Sequence, residues 1–239
     1  MNERQKASHI SIASANLRLE KYMIDLYKEY GLEKLTVISD EDFNRLNTNE
    51  RKNIYTFAKG LQECVIVALY VWQTALRNDW AELTITRKIV IPNTGNWLQI
   101  NKNGTMTLIL NEYKNAKYFK KQRIPLSLKS NQIMTIWLNL LERLLGAKPV
   151  HPLYYSINQK AKIDWIANAE TLARQLSRIS LKMFDRPATI NTFRHAHEMQ
   201  LQDSEEYKRM SVDEKKKAHA ALLHSLVTGM KYNLLRRDE

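Results

Sequence analysis

The 239-residue chain has one cysteine, six glycines and five prolines. The lone thiol, Cys64, excludes an intrachain disulfide framework and a zinc cluster built from thiolates. It sits in the apolar run 64–69, where packing is its expected role, and it is compatible with a reducing compartment. The six glycines form neither a G-x-G-x-x-G turn nor a Walker loop with its lysine, so no nucleotide cofactor or fuel is expected. The G-x-S-x-G elbow of acyl transfer is also missing. No uninterrupted apolar run approaches the roughly 18 residues of a membrane-spanning helix, and no signal-like apolar region follows residues 1–6. Neither a membrane span nor a secretory signal is expected. His195-Ala196-His197-Glu198 falls short of the zinc-protease pattern, because the position four after His197 is Leu201. No metal is expected.

Acidic residues are also in deficit: 37 lysines and arginines stand against 25 aspartates and glutamates, a net charge of +12. Such an excess favours a polyanionic partner, with a generic basic surface as the plain alternative. The length suits one good-sized domain with a small appendage. Helical spacing of Ile12, Leu17, Leu19, Met23, Ile24, Leu26 and Tyr27, ending at Tyr30-Gly31, predicts a helix with a glycine stop. We assign residues 1–34 to an N-terminal helical segment and 35–239 to the main domain, whose first helix is expected to start at Ser39-Asp40-Glu41-Asp42. Residues 54–76 are apolar on nearly every side except at Lys59, Gln62, Glu63 and Gln73, which predicts a central helix that carries Arg77 into the middle of the molecule.

Alternation in 83–91, 97–100 and 106–110 predicts strands, with Asn103-Gly104 as a tight turn and a further short strand at 123–126. Helical periodicity returns over 133–144, stopped by Gly146 and Pro149, and again from Ile163 to Met183. The expected fold class is α+β, mainly helical, with a small antiparallel sheet. There is no internal repeat, and the run Lys215-Lys216-Lys217 is expected on a solvated helix face.

Five short motifs recur in a meaningful order. Thr74-Ala75-Leu76-Arg77 ends the central helix, Tyr113-Lys114 follows the second hairpin strand, Asn191-x-x-Arg194 opens a helix, and Leu223-His224-Ser225 precedes Lys231-Tyr232. The set resembles the tyrosine recombinase (phage integrase) superfamily, in which a T-G-L-R box, a hairpin lysine, an H-x-x-R box, a G-H-S box and a terminal tyrosine follow in this order. The resemblance covers roughly residues 35–233 and points to a divergent branch such as integrases of viral or transposon mobile elements. The chain departs from the pattern at several places. Asn191 replaces a histidine, Ala75 and Leu223 replace glycines, and Trp80 stands where an acid is usual, with Asp79 and Glu82 nearby. The interval from His224 to Tyr232 is one residue shorter than the common one.

The resemblance implies a DNA integrase or site-specific recombinase that cleaves and rejoins double-stranded DNA through a 3′-phosphotyrosyl intermediate. Tyr232 would be the nucleophile, Arg77 and Arg194 the phosphate clamps, and His224 and Asn191 further phosphate ligands. Lys114 would protonate the departing 5′-oxygen, with Lys117 as its rival. No cofactor, metal or nucleotide is implied, and self-association as a dimer or tetramer on DNA is. Guanidinium forks suit phosphate because they bind it through two N–H groups and keep their charge. Asparagine can donate to a phosphate oxygen but cannot exchange a proton near neutral pH. Relatives commonly close a helical clamp around DNA from an N-terminal domain; residues 1–34 hold only one long or two short helices, so a reduced clamp is expected. A type IB topoisomerase and a catalytically idle DNA-binding accessory protein remain as alternatives. Plain structural roles also remain open: C-terminal packing for Tyr232, a helix-cap histidine at His224, a helix-end cation at Arg77 and a cap at Asn191.

If Tyr232 is the nucleophile, Tyr232→Phe abolishes covalent DNA attachment and leaves DNA binding intact, since only one oxygen is lost. A denaturing gel of the reaction in excess chelator reads this directly; an undiminished adduct would move the role to Tyr207 or Tyr154.

Overall fold

A helix that is apolar almost all round must be surrounded, and the architecture grows from that requirement. In the computed structural model, residues 10–30, 45–73, 76–88, 92–157, 163–166, 168–223 and 225–229 are described. Helix α1 spans Ile12–Tyr30 and the central helix α2 spans Thr48–Val71. Asn47 starts α2: its side chain accepts the N–H groups of Asn49 and Glu50, and Glu50 returns a bond to the Asn47 N–H at 2.8 Å. Every residue from 60 to 71 is buried. By length and composition α2 would suffice to cross a bilayer, but 83% of its apolar window lies inside the protein, so the core accounts for its apolarity. Cys64 is buried there, and burial pushes its thiol up to about 12.

The sheet is formed by β1 (Thr84–Thr86), β2 (Asn96–Ile100), β3 (Met106–Leu110) and β4 (Gln122–Pro125), in spatial order β1-β2-β3-β4. The pairs β2·β3 and β3·β4 are antiparallel, whereas β1 runs parallel to β2. The expected antiparallel sheet is therefore mixed. The tight turn at Asn103-Gly104, with Gly104 at φ +80°, reverses the chain between β2 and β3. The longer connection from β1 returns it to the same end, as a parallel pair requires.

Short helix α3 (Ala116–Phe119) separates β3 from β4. Helix α4 (Leu128–Leu145) is capped by Ser127 and closed by Gly146 in the left-handed conformation. A second sheet, antiparallel β5 (Tyr155–Ile157) and β6 (Ile163–Trp165), corrects the helix expected from Ile163. Apolar residues at 163 and 166 fit either period, and pairing with β5 decides the first of them. Helix α5 runs instead over Ala169–Phe184, capped by Asn168. Then follow α6 (Ile190–Asp203), α7 (Glu205–Arg209), α8 (Val212–Ala221) and one helical turn at 226–229.

Helices α1, α4, α5 and α6 pack on α2. Gly60 permits the close approach of α1, because a β-carbon there would meet a Leu26 methyl at 2.7 Å. Glu63, an acid inside the buried run, is met by Lys182 at 2.8 Å and Arg178 at 3.6 Å from α5. The central helix ends at Val71 rather than continuing to Arg77. Gln73 ties its exit down, donating to the Pro125 carbonyl and accepting the Ser127 N–H at 2.7 Å. Thr74 and Ala75 lie outside the described residues, as do the expected boundary at 34/35 and the expected cap at Ser39.

Ala15, Leu19 and Leu26 of α1 belong to the same hydrophobic cluster as α2. Leu19→Ala should accordingly cost about 2–5 kcal/mol of folding stability, as for a core leucine. Denaturant unfolding measures it, and a loss below about 1 kcal/mol would mean that α1 contributes little to the core.

Candidate active site

Two loops, helix α5 and the start of α6 converge near the end of α2. Tyr70, in the last turn of that helix, donates its hydroxyl to the Arg77 carbonyl at 2.9 Å. This bond folds the exit segment back across the helix end. A 3-10 turn, Asn78–Trp80, follows, anchored by the fully buried indole of Trp80. Asp79 and Arg77 thereby come to face a cavity of about 450 Å³, whose lining is completed by Lys114, Ala173, Thr189, Ile190 and Asn191. Residues separated by more than a hundred positions meet here.

Lys114 is exposed and enters from the turn after β3. The next residue, Asn115, donates through Nδ2 to the Leu223 carbonyl at 3.0 Å, joining this turn to the segment before His224. Lys117, on α3, does not line the cavity; its ammonium lies 4.8 Å from the ring centroid of Tyr118. Asn191 is near the start of α6, but Thr189 is the cap, accepting the Thr192 N–H in a capping box. The expected capping role of Asn191 is corrected: Thr189 fills it, and Asn191 stays exposed at the cavity rim.

Arg194, one turn further along α6, is only 3% exposed and is not part of the lining. Its charge acts through the wall, on Asp79 and on Tyr70. Burial holds the Asp79 carboxyl above its ordinary value, against hydrogen bonds from the backbone of Arg77 and Asp79 and the nearby charges of Arg194 and Arg77. Burial likewise raises the Tyr70 phenol, and the Asp79 charge adds to that. His197 is held below its usual value, first by burial, while its Nε2 donates to the Tyr70 carbonyl at 2.8 Å. Arg77 Nε is buried and has no hydrogen-bond partner among the described residues. A guanidinium N–H left unsatisfied beside a cavity is costly unless an acceptor arrives. Such a donor suits a phosphate oxygen.

His224 and Tyr232 lie outside the described residues. Their neighbours on the N-terminal side are informative. Leu223, where the resemblance places glycine, adopts φ +54°, the left-handed region that glycine enters freely and that costs other residues roughly 1–2 kcal/mol. Ser225 caps the turn at 226–229, its Oγ accepting the Thr228 N–H at 3.1 Å. Among the described residues, no group of three or more His, Cys, Asp or Glu is placed to hold a metal ion. His195-Ala196-His197-Glu198 is dispersed, with His197 turned to Tyr70 and Glu198 paired with His219 at 2.7 Å.

No family model, no curated protein and no solved structure matches this chain. The site is therefore read from its own chemistry. Three of the six residues singled out in the sequence, Arg77, Lys114 and Asn191, line one cavity. Sequence reasoning gave no role to Tyr70 and left Asp79 as a neighbour. The adjacency of Asp79 to Arg77 was a usable signal, whereas the role of Tyr70 depends on a backbone turn that no motif announces.

The raised Asp79 carboxyl has a consequence for stability. Its folded value lies above the unfolded one, so folding takes up a proton between the two, and stability falls as pH rises through that window. Asp79→Asn should remove this decline, making the variant relatively more stable from about pH 4 upward. Melting temperatures across pH would show parallel curves for both proteins if the assignment is wrong.

Proposed function

We propose that the chain cleaves and rejoins DNA strands through a phosphotyrosyl intermediate, as a tyrosine recombinase or integrase does. The observation that carries this reading is the cavity itself, where Arg77, with its unsatisfied buried Nε, meets Lys114 and Asn191 beside buried Arg194. These residue types, from three distant stretches, match the demands of a phosphodiester in the act of displacement. Two fixed guanidinium charges stabilise the extra negative charge of the pentacoordinate phosphorus. The Asn191 amide donates a further hydrogen bond without exchanging a proton. Lys114 stands at the mouth of the cavity, where an ammonium can protonate the departing 5′-oxygen.

Tyr232 supplies the attacking phenol in this scheme. Its oxygen bonds to phosphorus as the bond from phosphorus to the 5′-oxygen breaks, and the reverse displacement by a 5′-hydroxyl restores the DNA. A phenol titrates near 10 when free, so a cationic pocket also favours its reactive anion. Energy is conserved in the phosphotyrosyl link. Two further features support the reading. Leu223 holds the left-handed backbone where the family motif has glycine, and Asn115 hydrogen-bonds that residue from beside Lys114. Lys114, Lys117, Lys120 and Lys121 are exposed with no acid between them, which gives a DNA backbone a basic approach.

The deciding experiment incubates the protein with a random-sequence library of nicked suicide duplexes and isolates covalent adducts. Arg77→Ala should lower cleavage on the order of a hundredfold, as loss of a preorganised donor does. Lys114→Ala should slow cleavage of ordinary DNA and be rescued by a 5′-thiolate leaving group, which needs no proton, whereas Lys117→Ala should need no rescue. Adduct formation that ignores both Arg77 and Lys114 would remove the cavity from the chemistry.

A further inference from the structure

A set of buried ionisable and polar groups lies outside the cavity lining, and the proposed reaction does not use it. Glu198 on α6 and His219 on α8 are both fully buried, with Nδ1 and Oε1 2.7 Å apart. On its other side the imidazole meets the Tyr207 hydroxyl, 2.7 Å from Nε2. Gln202 donates from Nε2 to Glu198 at 2.8 Å and also to the carbonyl of Gly229 at 2.9 Å. A β-carbon at Gly229 would overlap the His219 ring and a carboxylate oxygen of Glu198, so only glycine fits this seat.

Burying a carboxylate and an imidazole together gains little stability over apolar residues of the same shape. What a directional network adds is register: greasy contacts tolerate sliding, whereas hydrogen bonds at fixed lengths do not. Asn115 holds the Leu223 carbonyl and Gln202 holds the Gly229 carbonyl. His224 lies between these anchors, and Tyr232 follows Gly229 by three residues, a reach of at most roughly 11 Å.

We propose that the Glu198–His219–Gln202 network is a positioning device that seats Gly229 and so fixes the register of the turn at 226–229, from which the chain continues to the proposed nucleophile Tyr232. This rests on the functional reading above. These residues act at a distance from the reacting atoms, through the backbone of the turn that ends at Gly229. The device explains why buried polar groups persist on a face of α6 that could have been apolar.

Two variants test it. Gly229→Ala forces the segment off the ring, and Gln202→Met removes the tether to the Gly229 carbonyl without adding bulk. Each is measured for hydrogen exchange of residues 225–229, affinity for the library duplexes, and single-turnover cleavage of a suicide duplex at saturating DNA. In both variants exchange should accelerate and the cleavage rate should fall by about tenfold or more, with affinity within about twofold of wild type. That split separates positioning from general unfolding, which would weaken binding as well. Should Gly229→Ala fail to fold, Gln202→Met carries the test. Unchanged exchange in Gln202→Met overturns the seat, and faster exchange with an unchanged cleavage rate overturns its link to catalysis. A wild-type protein that forms no adduct overturns the functional reading instead, while exchange still decides whether the network holds the segment.

Discussion

Tyr70 is the junction on which the cavity depends. Its hydroxyl holds the backbone of Arg77, its carbonyl receives His197, and its ring packs against Phe193 at 5.9 Å. One side chain at the end of α2 thus couples the exit loop to α6, and through them Arg77 to Asn191 and Arg194. A buried hydroxyl with a single acceptor is intolerant of displacement, because losing the bond strands two polar groups in the core. The rigidity of the central helix is in this way passed to the pocket wall. A cavity built on loops alone would have no such reference.

The buried charge of Glu63 is answered from another element. Burial by itself would depress the Lys182 ammonium, yet the hydrogen bonds it donates to Glu63 and Tyr22 raise it above its usual value. That contact joins α5 to α2 and α1, with Lys182 also lying over the Tyr22 ring. Asp79 is the counterexample, a carboxyl whose burial outweighs the favourable pull of two arginines. The two cases differ in setting as well as in degree: the first fastens helices, and the second lines a cavity.

Much of the frame was legible in the sequence. The spacing of apolar residues located α1, β3 and α4, and the helix expected to open at Asn191-x-x-Arg194 begins one residue earlier, at Ile190. Legibility failed where two periods overlap, as at Ile163, or where a long connection decides strand direction, as for β1. The site was legible as residue types in order, Arg77, Lys114 and Asn191, but not as a shape. No local pattern shows that Tyr70 turns the chain back at Arg77, or that Gly229 rests on His219, because both are contacts between distant segments.

The apolarity of α2 also bears on how the chain comes to be folded. On a ribosome adding roughly 5–20 residues per second, this helix emerges several seconds before α4, α5 and α6, which cover most of it. Among the described helices α1 alone precedes it in the chain, and the Gly60–Leu26 contact is a shelter available at once. A nascent chain that lost that contact would present an uncovered segment as greasy as a membrane span to chaperones and insertion machinery alike. The close packing of α1 thus guards the protein's early life as well as its finished core.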